Sequence, residues 1–328
     1  MSNGKGYRGS ISWPSDRPVW EFDYWMSVLP DAEGIVLWNV RFKKRLLLYK
    51  ASLPMIRVDY DNGYKSIDHL DLSTAYPLVY SPPNSTFVKV KEEFSSERKQ
   101  RCLTLASFHE GGVLGAYRIN HKWILYEDGV IKPRLFSAGV NGDRAYSHRH
   151  HVYWRLDFDI EGFADDVILE HFITGTSHDR DEQGFGVGWS QIMDECAGKR
   201  IKDSQFDVYW AVMDRKTGRG CRIHPGAHDG FADPYSPGDL WAMRYHPEED
   251  THGRIGSPTG EDRIHDEGLP KFMTCQTQPH GQRITESLDR QDIVVWYCAH
   301  IYHAVDEDHM HGDEYHGGGP WLIPFRYD

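Results

Sequence analysis

The chain has 328 residues, 39% hydrophobic and 13% aromatic, and its 49 Asp plus Glu outweigh 37 Lys plus Arg for a formal net charge of −12. That composition supports a large core and excludes a disordered chain, while the acidic balance excludes a nucleic-acid binder, which needs a Lys/Arg footprint. No apolar run is long enough to cross a membrane and the N-terminus lacks the apolar core of a signal peptide, so a soluble, unexported, cytoplasmic protein is expected.

In chain order, short β-rich runs separated by turn signals span 34–42, 87–91, 101–107, 122–126, 152–160 and 293–302. Helical periodicity is scarce. Asp128-Gly129 between two apolar runs predicts a hairpin with a two-residue loop, placing 116–125 and 130–136 on adjacent strands. Gly, Pro, Asp and His dominate 229–239 and 247–281, which predicts long surface loops rather than linkers. No internal repeat or domain boundary is evident, so 1–328 reads as one domain. Cys102, Cys196, Cys221, Cys275 and Cys298 are odd in number, widely spaced and without a CxxC. Reduced thiols are expected, not a disulfide framework or zinc ribbon.

Chemistry concentrates at His148-Arg149-His150 and at His303, which ends the run Val-Val-Trp-Tyr-Cys-Ala-His-Ile-Tyr-His. On a strand, residues i and i+2 share a face, so His148 and His150 can reach one ion while Arg149 turns away. Imidazole suits copper, zinc and iron, and a tetragonal nitrogen site with open positions favours copper when oxygen chemistry is wanted. In a chain with 19 histidines one such pair is expected by chance. The spacing alone therefore leaves both the metal and a surface histidine pair open.

Five segments in order resemble the catalytic domain of the copper amine oxidases. Gly34-Ile-Val-Leu-Trp-Asn-Val with Ser52-Leu-Pro-Met-Ile-Arg-Val-Asp-Tyr60 is similar to the family's opening strands. Gly115-Ala-Tyr117 followed by Trp123-Ile-Leu-Tyr-Glu-Asp-Gly129 resembles the strand whose tyrosine becomes the quinone cofactor. His148-Arg-His150 with Arg155-Leu-Asp-Phe-Asp159 and Gly162 resembles the HxH strand, and Asp239-Leu-Trp-Ala-Met-Arg-Tyr245 a late strand. Gln291-Asp-Ile-Val-Val-Trp-Tyr297 up to His303 is similar to the strand bearing the third copper ligand.

The resemblance and the strand count imply an all-β fold, a large, mostly antiparallel β-sandwich with few short helices, without the family's N-terminal accessory domains and forming a homodimer. The resemblance also implies copper held by His148, His150 and His303, and conversion of Tyr117 to topaquinone. A primary amine would condense with that quinone, an Asp would remove the substrate's α-proton, and O2 would reoxidise the cofactor with release of aldehyde, ammonia and peroxide. The segment Tyr60-Asp61-Asn62-Gly63-Tyr64 offers Asp61 as the base, with Asp68 and Asp71 in reserve, and Tyr60 as a hydrogen-bond partner of the cofactor; a plain Asp-Asn-Gly turn is the competing reading. Asp157, Asp159 and Asp292, with carbonyls of Phe158 and Ile293, match a peripheral calcium position, against a solvated acidic face. His151 and His300 read as strand residues facing away from the metal or flanking it, and 306–316 as a solvated loop, an entrance lining or an incidental metal binder. The two cysteines the family often joins have no counterparts.

The family's Thr-x-x-Asn-Tyr-Asp/Glu signature is replaced by Val113-Leu-Gly-Ala116-Tyr117-Arg118. Three further readings therefore stand beside amine oxidation. Copper alone could act on a non-amine small molecule with Tyr117 unmodified, the fold could be a non-catalytic metal scaffold, or three histidines with an open position could hold hydrolytic zinc, for which no Glu base is evident.

Overall fold

A computed structural model describes residues 8–27, 33–75, 87–110, 114, 117–139, 146–171, 188–203, 207–247, 270, 272–304 and 317–327. Among them there is no α-helix, and the 3-10 segment Glu195–Ala197 is a single turn. One nine-stranded sheet runs in the order Arg8–Trp13, Trp20–Met26, Ile35–Phe42, Arg45–Tyr60, His148–Phe158, Ile293–His303, Leu240–Arg244 and Lys199–Arg200, with Lys65–Asp68 paired to Arg45–Tyr60. The facing ten-stranded sheet runs Trp189–Gln191, Asp166–His171, Tyr209–Asp214, Gly220–His224, Trp321–Phe325, Ile131–Gly139, Tyr117–Tyr126, Gln100–Glu110 and Lys89–Ser95, with Gly317–Gly318 beside Ile131–Gly139. Strand pairing is antiparallel throughout. The expected all-β sandwich is the fold found.

Alternation explains the layering. Along Tyr117–Tyr126 the odd-numbered residues Tyr117, Ile119, Trp123 and Leu125 are buried, whereas Arg118 is exposed. The inward residues meet Val152, Trp154, Leu156 and Phe158 of His148–Phe158 in one cluster that also takes in Trp20, Trp210 and Tyr297. His148–Phe158 is buried on both faces. Its outward Tyr153 packs in a second cluster with Met55, Trp241, Met243, Val294, Trp296 and Cys298, and His151, Arg155 and Asp157 are buried on that same face.

The hairpin after Tyr126 is present with a three-residue loop, not two. Tyr126 N–H donates to Val130 O at 2.9 Å and Gly129 N–H to Tyr126 O at 3.0 Å, with Gly129 at φ +100. Glu127 therefore joins Asp128 and Gly129 in the loop, the second common hairpin solution, in which the positive-φ position falls on Gly.

The expectation of all-reduced cysteines is overturned. Cys196 and Cys275, 79 residues apart, form a disulfide with a Cα separation of 4.8 Å, and Cys102, Cys221 and Cys298 remain as buried thiols. Beside it the buried Glu195 carboxylate accepts from the Arg244 N–H at 2.8 Å and from the Thr274 N–H. This tertiary clamp, not a sequence spacing, brings the two cysteines together. Disulfides persist in oxidising compartments, so the cysteine argument for a cytoplasmic location no longer holds. No helix among the described residues is long and apolar enough to cross a membrane.

Candidate metal centre

Antiparallel register sets three site residues in one row. His148 is opposite His303 on one side and Tyr60 on the other, and His150 lies one step further along the same face. The hydroxyl of Tyr117 reaches this row from the facing sheet. Residues 148, 150, 303 and 117 are 2%, 0%, 0% and 3% exposed, so the group is enclosed at the edge of the core. Imidazole nitrogens of His148, His150 and His303 lie within 4.8 Å of one another, and the ring centroids are 4.9 to 5.0 Å apart.

The hydrogen bonds fix proton positions. His148 Nδ1 is 3.3 Å from the Tyr146 carbonyl, which can only accept, so Nδ1 carries the hydrogen and Nε2 the lone pair. That lone pair faces the Tyr117 hydroxyl at 3.1 Å and His303 Nδ1 at 3.2 Å. Tyr117 then donates to His148, leaving its oxygen to accept from the Tyr60 hydroxyl at 3.0 Å. His150 is held well below its ordinary pKa, first by burial and then by the neighbouring imidazoles of His303 and His148, and is therefore neutral. Neither of its ring nitrogens has a hydrogen-bond partner among the described residues. A fully buried imidazole left so is costly, and a cation shared with its two neighbours removes that cost. Three converging imidazoles suit copper or zinc.

The base candidates separate clearly. Asp61 is exposed in the turn closed by Gly63 N–H to Tyr60 O at 2.8 Å. Asp71 is buried but engaged, accepting through Oδ1 from the Ser73 N–H at 3.1 Å, the Ser73 hydroxyl at 2.6 Å and the Thr74 N–H at 3.2 Å. Asp68 pairs with Ile56, which pairs with Val152, so its side chain shares the sheet face of His148 and His150. Burial raises its carboxyl to about 7.

Arg118 projects to solvent, its Nε donating to Glu110 at 3.0 Å, so no cation is placed beside the Tyr117 ring by that substitution. Val113, Gly115, Ala116 and the 306–316 segment lie outside the described residues. At the opposite end of His148–Phe158, carboxylate oxygens of Asp157, Asp159 and Asp292 converge within 4.8 Å, with Asp157 also accepting from Arg155 at 3.2 Å. His151 and His300 do face away from the centre, and with Cys298 they form a cluster of their own, for which the i, i+2 spacing of Cys298 and His300 is the signal in the sequence.

No protein-family model matches the chain. Solved structures do. An amine oxidase from Aspergillus nidulans superposes with a TM-score of 0.66 at 18% identity, over 94% of this chain and 50% of that one. A copper-containing benzylamine oxidase from Hansenula polymorpha gives 0.66 at 15% identity, over 96% and 59%. A lysyl oxidase from Pichia pastoris gives 0.58 at 14%, over 94% and 52%. The chain shares the fold of copper amine oxidases. It spans 50% to 59% of the length of these oxidases, and at such identities the likeness is one of fold.

Proposed function

We propose that the protein is a copper-dependent, O2-using oxidase that converts a primary amine to an aldehyde, with Tyr117 as the precursor of topaquinone. The observation that carries this reading is the Tyr117 hydroxyl, 3.1 Å from His148 Nε2 within a cluster of three buried imidazoles. The Tyr117 ring packs in the core cluster, and its hydroxyl is the part aimed at the imidazoles. Copper held there by His148, His150 and His303 would supply a one-electron redox centre able to act with O2.

The chain's own residues do the rest. Tyr60 donates to the Tyr117 oxygen and fixes the direction of its ring. Burial at the sheet edge excludes water from the phenol. Asp68, on the same face and with a carboxyl near neutrality, takes the α-proton of the amine in place of Asp61, which stands in solvent. The net reaction consumes amine, O2 and water and yields aldehyde, ammonia and hydrogen peroxide. Calcium at Asp157, Asp159 and Asp292 belongs to the same reading as a structural ion, since hard carboxylates suit it.

The test is to load metal-free protein with copper in air, record the visible spectrum and take the mass of the Tyr117 peptide. A quinone band, a modified peptide and amine-dependent peroxide are expected. Bound copper with an unmodified Tyr117 overturns amine oxidation and leaves copper chemistry on a non-amine substrate.

A further inference from the structure

The strands that carry the three histidines carry a second set of metal-ligating groups on their other face. His151 pairs in register with His300, and Cys298 precedes His300 by two residues and shares its face. All three are 0% exposed, and one ligand atom from each lies within 4.8 Å of the others. The segment 233–239 covers them: the Ser236 hydroxyl is 3.5 Å from the Cys298 sulfur, and the Tyr235 ring stands edge-on to His151 at 5.7 Å.

Proton placement aims a ligating lone pair into this cluster. His300 Nε2 faces the Gly238 carbonyl at 3.2 Å and Asp239 Oδ1 at 3.4 Å, both acceptors, so that nitrogen carries the hydrogen. His151 Nε2 lies 3.5 Å from Asp233 Oδ2, outside a hydrogen bond, while Arg149 donates to that same oxygen at 2.6 Å. His300 Nδ1 is then a lone pair, standing 2.8 Å from His151 Nδ1 and 3.8 Å from the Cys298 sulfur. Two ring nitrogens that close must share either a proton or a metal ion between them. A ring nitrogen backed by a carboxylate or carbonyl, with the other nitrogen aimed inward, is also the arrangement that orients metal-bound histidines.

We propose that His151 Nδ1, His300 Nδ1 and the Cys298 thiolate bind a second transition-metal ion of the copper–zinc class, back to back with the His148–His150–His303 centre. Two imidazoles and a thiolate select such ions over hard cations. Metal–nitrogen bonds of about 2.0 Å and a metal–sulfur bond of about 2.3 Å set N to N near ~3.3 Å and N to S near ~3.6 Å. The rings open by about half an ångström to admit the ion. The Cys298 thiol releases one proton to solvent as the sulfur–metal bond forms, and no redox change is involved. This site shares no ligand with the first centre and does not rest on the amine oxidase reading.

Anaerobic titration of the full chain with Co2+ tests it, with bound metal counted by mass spectrometry and folding followed by circular dichroism. Wild type is expected to bind two ions and to show a thiolate-to-cobalt charge-transfer band. His303→Ala keeps the band with the second site filled, whereas Cys298→Ser loses the band and still binds one ion. His151→Ala, a second route to the same site, weakens the band-forming event at least tenfold. A folded wild type without the band, or a metal count that Cys298→Ser leaves unchanged, overturns the proposal and leaves a proton shared between the two imidazoles.

Discussion

His148 shows how one carbonyl decides a residue's chemistry. Because Tyr146 O holds the hydrogen on Nδ1, the lone pair on Nε2 is aimed at the point shared with His303 and Tyr117. Removing a ligand should cost more than disturbing such support: His150→Ala is expected to lower copper affinity by more than about 100-fold in a competition titration. Tyr117→Phe should keep copper binding and abolish the quinone band and amine turnover. For Asp68, burial raises the folded pKa from 3.8 to about 7. Its contribution to stability is present below pH 3.8 and lost as pH rises through about 7. Asp68→Asn should flatten that slope in denaturant titrations followed against pH. In the proposed reaction the same group must be ionised, so kcat should rise through about pH 7 and fall by about 100-fold or more in Asp68→Asn.

At the scale of elements, one strand organises the functional groups. His148–Phe158 presents His148 and His150 inward at one end, His151 outward beside them, and Asp157 at the far end. The i, i+2 rule made the inward pair legible in the sequence, and the hairpin was legible from Asp128-Gly129, although not the length of its loop, which depends on the Tyr126–Val130 pairing. The acids at 157, 159 and 292 predict that chelation of calcium lowers the midpoint of thermal unfolding, with Asp292→Asn removing the effect. The Cys196–Cys275 bridge closes a long loop that no spacing announced. Its reduction should destabilise the protein by up to about 4.5 kcal/mol in the chain-entropy account, measured by denaturant unfolding with and without reductant.

For the whole molecule, the two sheets are held by large side chains that meet across the sandwich, and Trp154 stands among them, its ring 5.3 Å from Trp123 on the facing sheet. Trp154→Ala should cost about 3–5 kcal/mol and loosen the metal centre with it, since Tyr117 reaches the histidines only while the sheets stay in contact. Alternation, apolar runs and turn residues are local properties, so the sequence by itself determined the all-β class, the strand carrying His148 and His150, and the outward turn of Arg118. Which residues meet across strands is not local. Register set His148 between Tyr60 and His303, facing sheets brought Tyr117 to them, and burial distinguished Asp68 from Asp61. The pairing of Cys196 with Cys275 and the cluster of His151, Cys298 and His300 were likewise decided by tertiary packing, because each joins groups whose separation along the chain carries no signal of their closeness in space.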